Sequence, residues 1–389
     1  MRVLFTCLPF SGHFYPLVPF ARALADAGHD VAFAAPAFFA SAVEGAEFRH
    51  FPAGLAQPID ERYPRWRALP GPERDAFWRE VFTDLWPRHT IPDPLALAAT
   101  WSPDLIVREQ TAYGGCIAAE RLGVSHASVD IDAAGHPPGN DEPIAEPLHR
   151  QRAAHGLPPD PDLTMLNRYL TLHPFPPTFH DPAGYLPPTM HFVRPTPEDR
   201  SGSEVLPRWV ESLPDWPVVY VGLGTVYNQP EVFRAFIAGL RDEAVTLIVT
   251  VGRDQDPADY GPQPGNVHIE RYIPLSLLLP HCDVVVTNGG SGTLTAALGH
   301  GLPVVVVPIA ADQPQNAARC ASLGVGVTIG PEERTPTAIR AAVREVLADP
   351  TYRQNTERLR DEMVALPGPE YAVALLERLA VEKRPLLTA

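Results

Sequence analysis

The sequence predicts an α/β protein built from two tandem halves, each a doubly wound parallel sheet. Short apolar runs alternate with amphipathic segments of helical length in both halves, which is the rhythm of a parallel sheet with crossover helices. A length of 389 residues suits about two domains at roughly 150 residues each. A polar, proline-rich stretch between Pro195 and Pro217 separates the two series, as a linker does.

The elements follow in order. Arg2–Leu8 is a buried first strand, and Pro9 to Pro16 a Pro/Gly/His loop. Leu17–Ala27 has helical apolar spacing and ends at Gly28-His29, a suitable C-terminal cap. Asp30–Ala35 and Glu47–Phe51 read as strands two and three, with a short helix over Phe38–Gly45 between them. Residues 53–100 interrupt the rhythm with Trp66, Phe77, Trp78, Phe82 and Trp86. The spacing 78, 82, 86 is helical and fits the wall of an apolar pocket or simply core packing. Asp104–Glu109, Val124–Asp130 and Met190–Arg194 are further strands. Helices are predicted over Thr111–Leu122, near 144–155 and near 161–172. The second half reads as strands Val218–Thr225, Val245–Gly252, His268–Ile273, Asp283–Thr287, Pro303–Ile309 and Gly326–Ile329, with Pro336–Leu347 and two more helices closing the chain. The predicted organisation is 1–200, a linker 201–216, 217–366, and a last segment 367–389 whose helix crosses back to the first half.

Composition excludes several classes of function. The net charge is −15, against the basic footprint that nucleic acid requires. No stretch approaches 18 uninterrupted apolar residues, so no membrane span is expected. The only lysine is Lys383. A phosphate-binding loop that needs lysine beside its glycines, and a pyridoxal Schiff base, are both disfavoured. Cys7, Cys116, Cys282 and Cys320 match no zinc or redox spacing, so no metal site is expected. The N-terminus only faintly imitates a signal peptide, because it runs into Ser11-Gly12-His13; a cytoplasmic protein is expected.

Chemistry should sit at the carboxyl ends of the strands, where the strand order switches. Asp283 to Thr293 reads as strand, glycine-rich turn (Gly289, Gly290, Gly292), then helix. Such a turn lets a diphosphate approach backbone N–H groups at a helix N-terminus, and Ser291 and Thr293 can add hydroxyls. The same turn is also an ordinary tight strand–helix connection. Thr225, closing Gly222-Leu223-Gly224-Thr225, would face the same crevice. Asp312 and Gln313 follow the next strand. An acid–amide pair suits sugar hydroxyls, which donate and accept together, while Asp312 alone also suits an N-cap. In the first half, His13 follows strand one and Glu109 closes strand four. At the switch point these two become neighbours, a base and the carboxylate that fixes its tautomer.

Together these residues resemble the bacterial natural-product glycosyltransferases of the GT-B fold, two Rossmann-like domains facing a central cleft, which are relatives of the plant secondary-metabolite transferases. The resemblance rests on Gly12-His13-x-x-Pro16, Ala27 to Val31, Pro103 to Val107, Tyr272-Ile273-Pro274, Asp283, Gly289 to Thr293 and Asp312-Gln313-Pro314. It implies a nucleotide-diphosphate-sugar donor in the second half and a hydrophobic acceptor in the first. It implies a metal-independent reaction that inverts the anomeric carbon. His13 takes the place of the family's base, and Glu109 that of an orienting Asp. Tyr272 stands where plant relatives stack a Trp on the nucleobase, and Ile273 beside it counts among the donor-binding residues. Thr225 and Gly290–Thr293 would hold the diphosphate, and Asp312 and Gln313 the sugar. Asn288 replaces the family's usual His, and Leu275 a plant Gln, which points away from UDP-glucose. An Arg-, Ala- and Pro-rich chain suits a GC-rich bacterium, and a dTDP-deoxysugar is the expected co-substrate with no other cofactor. Transfer to oxygen or to an aromatic carbon, in a monomer or a homodimer, all fit. Two rivals stand beside this reading: a nucleotide-sugar epimerase of the same architecture, and a non-catalytic homologue that binds nucleotide-sugar or activates a partner.

Overall fold

The computed structural model describes residues 1–389 except 136–141, 197, 200–203, 225–228, 253 and 389. Thr225, and part of the expected linker, lie outside the described residues.

Two parallel sheets organise the chain. The first contains β1 (Arg2–Thr6), β2 (Asp30–Ala35), β3 (Arg49–Pro52), β4 (Leu105–Glu109), β5 (Ser125–Val129), β6 (Thr171–His173) and β7 (Met190–Phe192). Their order is β3-β2-β1-β4-β5-β6-β7. The second contains β8 (Val218–Gly222), β9 (Thr246–Thr250), β10 (Val267–Glu270), β11 (Val284–Thr287), β12 (Val304–Val306) and β13 (Gly326–Thr328), ordered β10-β9-β8-β11-β12-β13. Both reverse direction beside their first strand, between β1 and β4 and between β8 and β11, so each half has a crevice there.

The central strands are apolar on both faces, as helix-covered parallel strands must be. Val284, Val285 and Val286 are fully buried, as are Val3, Leu4 and Phe5. Each such side chain contributes about 1.5–3 kcal/mol on leaving water. The glycine turn is therefore mounted on a rigid strand. The helix Pro369–Glu382 packs against the first sheet: Ala372, Val373, Leu375, Leu376 and Leu379 share a core with Val3, Phe5 and Leu24. His29 Nε2 pairs with Glu377 Oε1 at 2.9 Å, tying the helix to the loop before β2.

Three local expectations are corrected. The Pro9–Pro16 loop contains a helical turn, Ser11–Phe14; His13 N and Phe14 N both donate to Phe10 O at 3.0 Å. The helix expected over 161–172 is a single 3₁₀ turn, Thr164–Leu166, followed by β6. Asp160 is the reason: its carboxylate accepts from Thr164 N, Met165 N and Thr164 Oγ1. It caps a turn there, and Leu163 enters that turn with φ of 48°. The aromatic stripe 78–86 does not lie on one regular helix. A π-helical turn, Val81–Leu85, joins Gly71–Glu80 to Trp86–Thr90.

Candidate active site

β4 lies beside β1, with Thr6 opposite Arg108. The helical turn after β1 carries His13 back over the end of β4. His13 Nδ1 lies 3.2 Å from Glu109 Oε1, with the His side chain 18% exposed and Glu109 fully buried. The dyad expected from the sequence is formed, and the extra methylene of Glu reaches it. Glu109 is itself anchored: Thr111 N donates to Oε2 at 2.6 Å, and Thr111 Oγ1 lies 3.0 and 2.9 Å from the two carboxylate oxygens. Burial lowers the affinity of His13 for a proton. Glu109 opposes this by charge and hydrogen bond, Asp132 and Asp312 add to it, and the net shift is upward from an ordinary value near 6.5. A base must be neutral to take a proton. Activity should therefore rise with pH through a midpoint above that of a free imidazole. Glu109→Gln should move the midpoint down, which a kcat–pH profile of the two proteins reads directly.

Aromatic rings surround the imidazole. Phe10 and Phe82 stand 5.5 and 6.1 Å from it between ring centroids. Trp78 packs on both, at 5.7 and 5.4 Å. Trp86 is core, 2% exposed, while Trp78 and Phe82 are half-buried. The stripe thus divides: one ring is structural, and two form a wall beside His13. The sequence pattern leaves Phe82 open between pocket wall and core, and it misses Phe10, although Phe10 lies only three residues before His13.

Across the cleft, the glycine turn follows β11. Asn288 Nδ2 donates to Leu223 O at 2.7 Å, and its Oδ1 accepts from Gly290 N at 3.0 Å. Asn288 thereby staples the loop after β8 to the turn after β11. Gly289 has φ of 86°, and a Cβ there would lie 2.7 Å from Val306 Cγ1; only glycine fits. The helix Ser291–Gly299 begins at Gly290 with no side-chain cap. The first N–H groups of a helix have no partner in the helix itself. Those of Ser291, Gly292 and Thr293 therefore form a ready anion site. Gly292 is exposed and Thr293 half-buried.

Several predicted donor contacts are already engaged within the protein. Ser291 Oγ donates to Asp312 Oδ2 at 2.6 Å and accepts from Ala133 N at 2.9 Å. Asp312 also accepts from Asn316 Nδ2 at 2.7 Å and makes no side-chain N-cap bond. Burial, then the charge of Asp132, pushes the Asp312 carboxyl up to about 6, against the hydrogen bonds from Ser291 and Asn316. Gln313 is buried, and its Oε1 accepts from Ile309 N and Ala310 N at 2.7 and 2.9 Å, which leaves the amide NH₂ for a ligand. The preceding Ala311 is held at φ of 57°. Tyr272 is 38% exposed and donates through its hydroxyl to Asp199 O, so its ring is fixed at the surface. Ile273 is 2% exposed and packs in the core of the second sheet. Its side chain therefore cannot meet a donor, and only its backbone remains for one.

Two further residues complete the arrangement. Asn316 is fully buried; it donates to Gly289 O at 2.8 Å and accepts from Ala134 N at 3.2 Å. Asp132 accepts from Gln110 Nε2 at 2.8 Å and acts electrostatically on both His13 and Asp312. The loop after β5 thus touches two helices of the second half, at Ser291 and at Asn316, and brings the two constellations into one cleft. Asn316 stands four residues after Asp312, on one helix face, which is the only trace it leaves in the sequence.

Residues 237–379 match the family described as Erythromycin biosynthesis protein CIII-like, C-terminal domain. Over 97% of its length the chain is 32% identical to 4'-demethylrebeccamycin synthase of Lentzea aerocolonigenes, of which 99% is covered. The chain belongs to the bacterial antibiotic glycosyltransferases. It is also 32% identical to tylactone mycaminosyltransferase of Streptomyces fradiae, over 99% of this chain and 93% of that one. The solved structure of the glycosyltransferase VinC in complex with DTDP superposes with a TM-score of 0.80 at 27% identity, covering 98% of this chain and 99% of that one. Two parallel-sheet halves of this kind are the GT-B fold. No helix among the described residues is long and apolar enough to cross a membrane. In this glycosyltransferase, the carboxylate-backed imidazole and the uncapped helix face each other, one suited to removing a proton and the other to receiving negative charge.

Proposed function

We propose that the protein transfers a deoxysugar from a nucleotide diphosphate, dTDP in the first instance, to a hydroxyl of a hydrophobic natural product, with inversion and without metal or other cofactor. The observation that carries this reading is the His13–Glu109 dyad standing across one cleft from the uncapped helix at Ser291–Thr293. His13 Nε2 takes the acceptor's proton as its oxygen attacks the anomeric carbon. Glu109 stabilises the imidazolium. The bond from the anomeric carbon to the diphosphate oxygen breaks, and the diphosphate leaves onto backbone N–H groups and the helix terminus, a fixed electrostatic sink. The transition state has oxocarbenium character, as in glycoside hydrolysis.

The free NH₂ of Gln313 and the carboxylate of Asp312 suit sugar hydroxyls, and the exposed ring of Tyr272 suits a nucleobase, a contact of about 1–3 kcal/mol. One relative is a mycaminosyltransferase and one structural neighbour is a complex with DTDP; both support the donor class. Phe10, Trp78 and Phe82 beside the base support an apolar acceptor, which an epimerase would not need. A base held by a buried carboxylate speaks against a pure binder.

Calorimetric titration with dTDP, UDP and GDP in EDTA tests the donor half. Preferential binding of dTDP without metal is expected. Equal binding of all three would remove the dTDP assignment, and binding only with added divalent cation would remove metal independence.

A further inference from the structure

Thr111 is a polar side chain in contact with both members of the dyad. Its Oγ1 stands 2.9 and 3.0 Å from the Glu109 oxygens and 3.3 Å from His13 Nδ1. A hydroxyl has one proton and two lone pairs. A charged acceptor forms the stronger bond, so the proton goes to the carboxylate. The hydroxyl then turns a lone pair toward Nδ1, whose proton is shared between Glu109 Oε1 and Thr111 Oγ1. Thr111 N holds Glu109 Oε2 from the backbone as well.

We propose that Thr111 is a positioning residue of the catalytic dyad: its hydroxyl anchors the Glu109 carboxylate and accepts from Nδ1–H, so that the imidazole presents a bare Nε2 to the cleft. The proposal rests on the reading of His13 as the base. It adds a second task for the hydroxyl. By donating to Glu109 it draws part of the carboxylate's charge away from the imidazole. Without it, Glu109 would act on His13 with its full charge and hold it as the imidazolium. The other groups acting on His13 are Asp132, after β5, and Asp312, ahead of the helix Gln313–Ser322. Cys7, at the end of β1, also feels Glu109; burial and then that carboxylate push its thiol well up, so it stays neutral.

The test uses the full chain as Thr111→Val, Thr111→Ala and Thr111→Ser. Valine keeps the branched shape and its rotamer preference, alanine guards against a valine that fails to pack, and serine restores the hydroxyl. The first readout is the ¹⁵N chemical shift of His13 against pH, assigned with His13→Gln. It needs no substrate, so it decides the dyad geometry whatever the fate of the base assignment. The second is a turnover–pH profile. In the valine and alanine variants the His13 midpoint should move to higher pH, and turnover near neutrality should fall about tenfold, recovering on the alkaline side. Serine should restore both. A midpoint that stays in place or moves down, or a serine variant that behaves like valine, overturns the proposal. Full turnover in His13→Ala would instead overturn the base assignment, with the ¹⁵N titration still deciding the role of Thr111.

Discussion

His13→Ala should lower glycosyl transfer by about two to four orders of magnitude, the range for a well-placed general base, and leave nucleotide affinity unchanged. The separation follows from the geometry. His13 belongs to the turn after β1, and its partners, Glu109 and Thr111, come from the first half. The uncapped helix belongs to the second half. Steady-state transfer gives kcat, and calorimetry with dTDP gives the affinity. Full kcat in the variant would end the base assignment. A loss of affinity as large as the loss of kcat would mean that His13 serves binding rather than proton transfer.

Gly289→Ala should damage the candidate donor site. A left-handed residue with a Cβ costs about 1–2 kcal/mol. The new methyl also meets Val306 Cγ1 at 2.7 Å, and such overpacking adds about 1–3 kcal/mol. The turn would have to shift, carrying the N–H groups of Ser291 to Thr293 with it. Thermal denaturation should show lowered stability, and nucleotide affinity should fall at least about tenfold. Gly265→Ala is the control: Gly265 is exposed in the loop before β10, and a Cβ there meets nothing within 4 Å. An unchanged melting temperature in Gly289→Ala would show that the turn is not a rigid platform.

The parts legible in the sequence were those governed by local pattern. Apolar runs marked every strand except β6, and the known preference for the switch point paired His13 with Glu109 across 96 positions. The glycine turn was visible because only glycine accepts its backbone. What stayed hidden depends on contacts between distant side chains. Nothing local in Ser291, Asn288 or Gln313 says whether a polar group faces a ligand or is bound to Asp312, Leu223 O or Ile309 N. Ile273 follows Tyr272 directly, yet one is core and the other surface. The helix expected over 161–172 failed because a single carboxylate, Asp160, caps a turn there, and helical propensity is too weak a signal to oppose it.

The last helix has a mechanical consequence. The chain passes between the halves twice, and the two passages lie side by side: Arg194 N donates to Pro367 O at 2.7 Å. Besides these two adjacent tethers, Ala133, Ala134, Phe175 and Phe179 of the first half pack into the core of the second and hold the halves together. Topologically, the second half is a module inserted into the first, since the helix Pro369–Glu382 folds with β1 and its neighbours. A chimera made to exchange sugar specificity should therefore be cut at two points, near 195 and near 367. A single crossover would pair the first sheet with a foreign final helix and break the His29–Glu377 contact.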